Sequence, residues 1–224
     1  MDMGAPIATI TAIPRMTTEI LTLTQLLSPS FPVGAFAYSH GLETAIETGF
    51  IANADDLTDW IVDLLTHGSG RNDAILLHAA YHNEDPIIDA TARAFAASKE
   101  RLQETDLQGA AFCEAVNGVW QLDLQGLTYP VAVGRTAKML CLDPKLTAAM
   151  YLQAFVSNLC AVAMRLVPLG QTDGQKVQLA LKPLCLQTAQ DTCDATLDDL
   201  HSCTFMSDIM SMQHETQYSR VFRT

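Results

Sequence analysis

Between residues 146 and 164 nineteen consecutive positions carry no charged side chain, close to the length that crosses a lipid bilayer. The polar residues within the run decide between a membrane span and a core helix. Ala148, Leu152, Phe155, Leu159, Val162 and Leu166 step by fours and threes into one apolar stripe, and Thr147, Tyr151, Gln153, Ser157 and Asn158 fall outside it. The spacing predicts a central helix of a bundle with one polar side, over residues 144–167. Asp143 is placed to cap its free amides, Pro144 takes the first helical position where a missing N–H costs nothing, and Pro168 helps to end it.

The rest of the chain follows the same period. A first helix is expected from about Thr18, with Leu23, Leu26 and Leu27 on one face, stopped by Pro29 and Pro32. Helical spacing resumes near Phe36. After Asn53, the positions Leu57, Trp60, Ile61, Leu64 and Leu65 predict an amphipathic helix closed by Gly68 and Gly70. Further helices are expected from Asn72 to about Tyr81, from Pro86 toward Arg101, from about Thr105 to Leu124, and from Val131 to Leu140, with Pro183 interrupting the one that follows the central helix. No segment alternates apolar and polar residues between hairpin turns, so no strand is predicted. The fold class is all-α: a single-domain helical bundle over residues 18–205, with flexible tails at residues 1–17 and 206–224.

Composition narrows the function. Thirteen basic residues against 25 acidic ones give a formal charge of −12, which disfavours a nucleic-acid backbone or an anionic membrane and favours a basic surface or a cation. The six cysteines form no CxxC pair, so a zinc knuckle or a redox dithiol is unsupported, and mostly buried free thiols in a reducing cytosol are expected. The N-terminus does not read as a signal peptide.

Chemical motifs are weak. Gly170, Gly174 and Lys176 resemble a phosphate loop, but only three residues separate the glycines and Lys176 falls one place too late. A corner with Thr172 or Asp173 capping the next helix is the plainer reading. His78 and His82 are four apart, enough for two metal ligands but not for a site, so they read as surface histidines. Asp191, Cys193, Asp194, Asp198, Asp199, His201 and Cys203 match no metal spacing; a solvated acidic face with its two cysteines turned inward is expected. Ser39 and His40 are adjacent, which does not make a nucleophile and its base.

Three motifs carry a resemblance. Residues 28–43 read SPSFPVGAFAYSHGLE, residues 165–175 read RLVPLGQTDGQ, and residues 214–223 read HETQYSRVFR. In this order they resemble the signatures of the UreF family of urease accessory proteins, over nearly the whole chain. His40 and Val221 stand where that family more often has Gln and Leu, and the region of Glu104 to Gly109 is only loosely similar. The resemblance implies an all-helical protein with no catalytic chemistry and no cofactor. It would be a cytoplasmic helper that couples the GTPase UreG to UreD (UreH) and the urease apoprotein for nickel insertion, as a homodimer within that complex. A protein that carries nickel directly is the alternative.

The same residues suggest contact points. The proline-fixed turn with Pro32 and Gly34 presents Phe36 and Tyr38 at the head of a helix, either as docking groups or as core anchors. Glu43 closes that motif, and Gln171 and Asp173 mark the second corner, split between a cap and an interface. In the tail, Tyr218, Arg220 and Phe222 join apolar surface to a local charge of +1, which suits folding onto a partner, UreD by the resemblance, with packing on the chain's own bundle as the competing reading.

Overall fold

The computed structural model of the chain describes residues 15–223, and the expectation for residues 1–14 lies outside the described residues. Ten α-helices follow in order among them: α1 (Arg15–Leu26), α2 (Leu42–Glu47), α3 (Ala54–His67), α4 (Ser69–His82), α5 (Pro86–Ala94), α6 (Lys99–Trp120), α7 (Tyr129–Met139), α8 (Pro144–Leu166), α9 (Gln171–Asp191) and α10 (Phe205–His214). Among the described residues there is no strand.

Local chemistry explains most boundaries. The Asn53 side chain accepts from the Asp55 and Asp56 amides at the head of α3, and Asp143 accepts from Leu146 at the head of α8 with Pro144 in the first turn. Ser98 accepts from the Arg101 amide and so starts α6 there, which divides the helix expected from Pro86 to Arg101 into α5 and α6. Gly68 joins α3 to α4, and Gly70 lies inside α4 instead of closing α3. Gly170 and not Thr172 or Asp173 occupies the cap of α9. Pro183 does not interrupt that helix. Both Pro183 and Leu179, whose carbonyl loses its donor to the proline, are exposed, so the lost hydrogen bond lies on the solvent side and α9 continues.

The helix α8 is the spine. Leu152, Val156, Leu159, Cys160 and Ala163 are completely buried, and the expected polar side is half absorbed too, since Thr147 and Tyr151 are buried while Gln153, Ser157 and Asn158 keep partial exposure. Helices α4 and α9 cover α8, α7 lies on α4 and α6, α3 lies on α9, and α10 closes on α2. Length and hydropathy would let α8 cross a membrane, but most of its apolar window is inside the fold. Each fully buried leucine contributes about 1.5–3 kcal/mol. Close approach needs glycine at Gly134, where a Cβ would stand 2.3 Å from the Leu77 carbonyl oxygen and push α7 off α4. A smaller apolar cluster of Ile75, Ile88, Ala92, Val131 and Leu200 ties α5 and the segment before α10 to this frame.

Other expectations are corrected here. His78 is not a surface residue: it is 1% exposed, with Nε2 3.1 Å from the Ala189 carbonyl oxygen. Three of the six free thiols, Cys113, Cys160 and Cys185, are buried; Cys203 is exposed, not turned inward. Burial pushes the Cys160 thiol up to about 12 and Cys185 to about 11, which leaves both unreactive. The C-terminal segment, expected as a flexible tail, is packed on the bundle as far as Arg223.

Candidate functional site

The three motifs, remote in sequence, meet at one end of the bundle. Pro29 and Pro32 stop α1 and turn the chain into a 3-10 turn at Ala35–Ala37, with Gly34 in the left-handed region at φ 72°. His40 and Gly41 take the same region at 56° and 77°, which lets α2 start at once. A Cβ on Gly41 would lie 2.7 Å from the Ser211 amide nitrogen, so only glycine allows α10 to sit here. Glu43, at the head of α2, points to the C-terminal segment and accepts from the backbone N–H of Val221 at 2.7 Å and of Phe222 at 2.9 Å. The Arg223 amide donates to the Ala37 carbonyl at 2.8 Å, and the Arg165 guanidinium lies over the Phe222 ring at 5.7 Å. Asn158 of α8 donates to the Tyr38 carbonyl at 3.1 Å.

His214 completes this knot. It is fully buried, with Nδ1 2.7 Å from Glu100 and Nε2 3.2 Å from Glu43. The other oxygen of Glu100 accepts from Arg220 at 2.6 Å, and Thr44 donates to Gln217 at 2.8 Å.

The sequence-predicted residues therefore separate. Pro32, Phe36, Gln171 and Tyr218 are exposed, Gly34 and Asp173 are partly exposed, and Asp173 pairs with Lys176 at 3.0 Å. Tyr38, Glu43 and Phe222 are 4–5% exposed and serve as interior anchors. Tyr38 thus takes the core reading and offers no side chain to a partner, because the turn that presents Phe36 outward directs Tyr38 inward. Arg220 is held by Glu100. Phe222 is buried by the chain itself, as the competing reading had it.

Beside the knot lies a cavity of about 500 Å³ between α1, the 28–36 turn, α6 and α8. Its walls are mostly apolar, with Leu27, Val33, Ala154 and Ala161 among them, and Phe36 and Arg165 also line it. Its floor is a charged cluster that sequence reading missed. Arg101 pairs with Glu104, His40 Nε2 lies 3.0 Å from Glu104, Gln108 donates to Glu104 at 2.9 Å, and Tyr151 donates to Asp73 at 2.8 Å.

Burial alone would raise the Glu104 carboxyl, but Arg101 and then His40 override it and hold the group at about 2. Burial pushes Asp73 up to about 6, against the pull of Arg101 and the Tyr151 hydroxyl. Burial, reinforced by Arg101, moves His40 down despite Glu104, and Tyr151 is driven well up by burial and by Asp73. The signal in the sequence was that Glu104 and Gln108 continue, at spacings of four, the buried stripe of Phe112 and Val116 on α6. Polar residues on a buried stripe mark an internal network. Among the described residues no group of three His, Cys, Asp or Glu side chains is arranged to hold a metal ion.

With this geometry in view, known proteins fall into place. The sequence model of the UreF family matches residues 51–182. The chain is 54% identical to a urease accessory protein UreF of Roseobacter denitrificans over 211 residues, covering 93% of this chain and 95% of that protein. It is 51% identical to the UreF of Ruegeria pomeroyi over 210 residues (92% and 97%) and 53% identical to that of Ruegeria sp. over 214 residues (93% and 100%).

Proposed function

The chain belongs to the UreF family of urease accessory proteins, which act in urease maturation, and we propose that it is the adaptor that couples the GTPase UreG to UreD (UreH) and the urease apoprotein for nickel insertion. In this reading it works in the cytoplasm, as a homodimer within the complex, and performs no catalysis of its own. The observation that carries it is the knot at Glu43, where three motifs of different parts of the chain are tied into one rigid end. Such a tie makes a preorganised platform, which lowers the ordering cost of docking. Around the knot Phe36, Tyr218 and Val221 remain exposed at 63%, 105% and 70%, aromatic and apolar groups of the kind that anchor interfaces. Gln171 and Asp173 begin α9 just beyond Arg165, on the corner assigned here to UreG. The −12 charge suits a basic partner surface.

The experiment is reconstitution from purified UreD, UreG and this protein, with GTP turnover and complex size as readouts. Phe36→Ala and Tyr218→Ala are expected to weaken assembly about fivefold or more each, with melting temperature unchanged, since truncating an interface anchor costs above about 1 kcal/mol. Normal assembly by both variants would overturn the docking face. A tight stoichiometric nickel complex of the isolated protein, with no capture of UreG, would favour direct nickel carriage instead.

A further inference from the structure

The cavity floor is out of electrical balance. Arg101 is committed to Glu104 by a direct ion pair, and the His40 Nε2 contact serves the same carboxylate. Asp73 is left with a neutral donor, the Tyr151 hydroxyl at 2.8 Å, while Arg101 acts on it only through its field. The charged and titratable groups around this cavity are Asp73 on α4, Arg101 and Glu104 on α6, Tyr129 on α7, Tyr151 and Arg165 on α8, and His40 from the turn; Asp208 of α10, which accepts from Ser202, lies with Asp73 and Arg101 on a second, smaller cavity. Arg165 is exposed and stacked on Phe222, so it offsets charge at the surface and not at the floor. A buried surplus of one negative charge is costly unless a cation enters or a proton is taken up.

The walls decide which cation. A hydrated metal ion wants oxygen or nitrogen ligands on several sides, whereas a cavity of about 500 Å³ with mostly apolar lining, Leu27, Val33, Ala154 and Ala161 among its walls, wants an aliphatic stem. Lysine and arginine join such a stem to a cationic tip. We propose that the cavity is a receptor site for a basic side chain, a lysine or arginine carried by a partner protein, with Asp73 as its counter-ion. The tip lies against Asp73, the methylene stem fills the apolar walls, and Phe36 borders the mouth. Burial raises the Asp73 carboxyl to about 6, so at neutral pH it meets the guest ionised.

The test uses n-propylguanidinium, the arginine side chain without its backbone, and n-propylurea, its uncharged analogue, titrated calorimetrically into the full chain. The guanidinium is expected to bind about tenfold or more tighter than the urea at neutral pH, because its charge-assisted hydrogen bonds to the Asp73 carboxylate are stronger than the neutral ones of the urea. Asp73→Asn should erase that preference while keeping the helical signal. Lowering the pH from about 7.5 to about 5 should weaken guanidinium binding about tenfold, since Asp73 titrates near 6. Thr24→Trp, a change at an exposed rim position lining the cavity, keeps Asp73 intact and should block entry, so the proposal stays open to test if Asp73→Asn does not fold. Equal binding of the two probes, or unchanged binding by Thr24→Trp, would overturn it. Displacement of the guanidinium by one equivalent of nickel would assign the site to a metal. Failure of a capped Leu-Arg-Leu peptide to bind where the guanidinium does would assign it to a free small cation.

Discussion

Glu104 shows how one buried carboxylate is kept ionised. It is 2% exposed, and burial works against its charge, yet Arg101 and His40 together hold its pKa at about 2 instead of the ordinary 4.5. A folded-state pKa below the unfolded value means stability that is present above about pH 4.5 and lost as pH falls through about 2, worth about 3 kcal/mol. Glu104→Gln should therefore lower stability by about 3 kcal/mol at neutral pH. In urea unfolding curves taken at successively lower pH, the gap between the two proteins should close toward pH 2; a constant gap would show that packing and not charge sets the cost. The pairing of Glu104 with Arg101 and Gln108, three and four residues away on α6, follows from helical spacing, whereas its contact with His40 from the turn before α2 does not. The position of Glu104 on the buried stripe was visible, and its meaning waited on His40.

At the scale of elements, helix α9 and the C-terminal segment depart most from sequence expectation. Pro183 lies in the middle of α9 on its exposed side, where it costs a hydrogen bond but meets no core. Pro183→Ala should raise stability by about 1–3 kcal/mol and lengthen protection from hydrogen exchange in the surrounding turns. A neutral or lower melting temperature would show that the lost hydrogen bond costs α9 nothing. The C-terminal segment is held by Glu43 and by the burial of Phe222, which is local stabilisation at a chain end. Phe222→Ala should free the Val221 and Phe222 amides to exchange while α3, α4 and α8 keep their protection. Retained protection at both amides would show that the Glu43 bonds suffice without the ring. Removing residues 213–224 also takes out His214, so the truncated chain should melt lower than the full one.

For the whole molecule, charge and topology act together. With a formal charge of −12, self-repulsion opposes compactness, so raising ionic strength from about 0.01 to about 0.15 M, which shortens the screening length from about 30 to about 8 Å, should raise the melting temperature. A fall would show that ion pairs such as Arg220 with Glu100 outweigh the repulsion. The sequence by itself determined what depends on near neighbours: the helical class, the stripe of α8, its Asp143 and Pro144 start, the Asn53 cap, and the family through its three motifs. These are set by spacings of three and four residues and by backbone restrictions at proline and asparagine. Only the tertiary structure decided that Tyr38 and Phe222 face inward, that Glu43 and Glu100 clasp His214, and that Asp73, Arg101 and Glu104 share a cavity floor. Those contacts join residues up to 179 positions apart, and such pairings are chosen by the packing of whole helices, which no local spacing encodes.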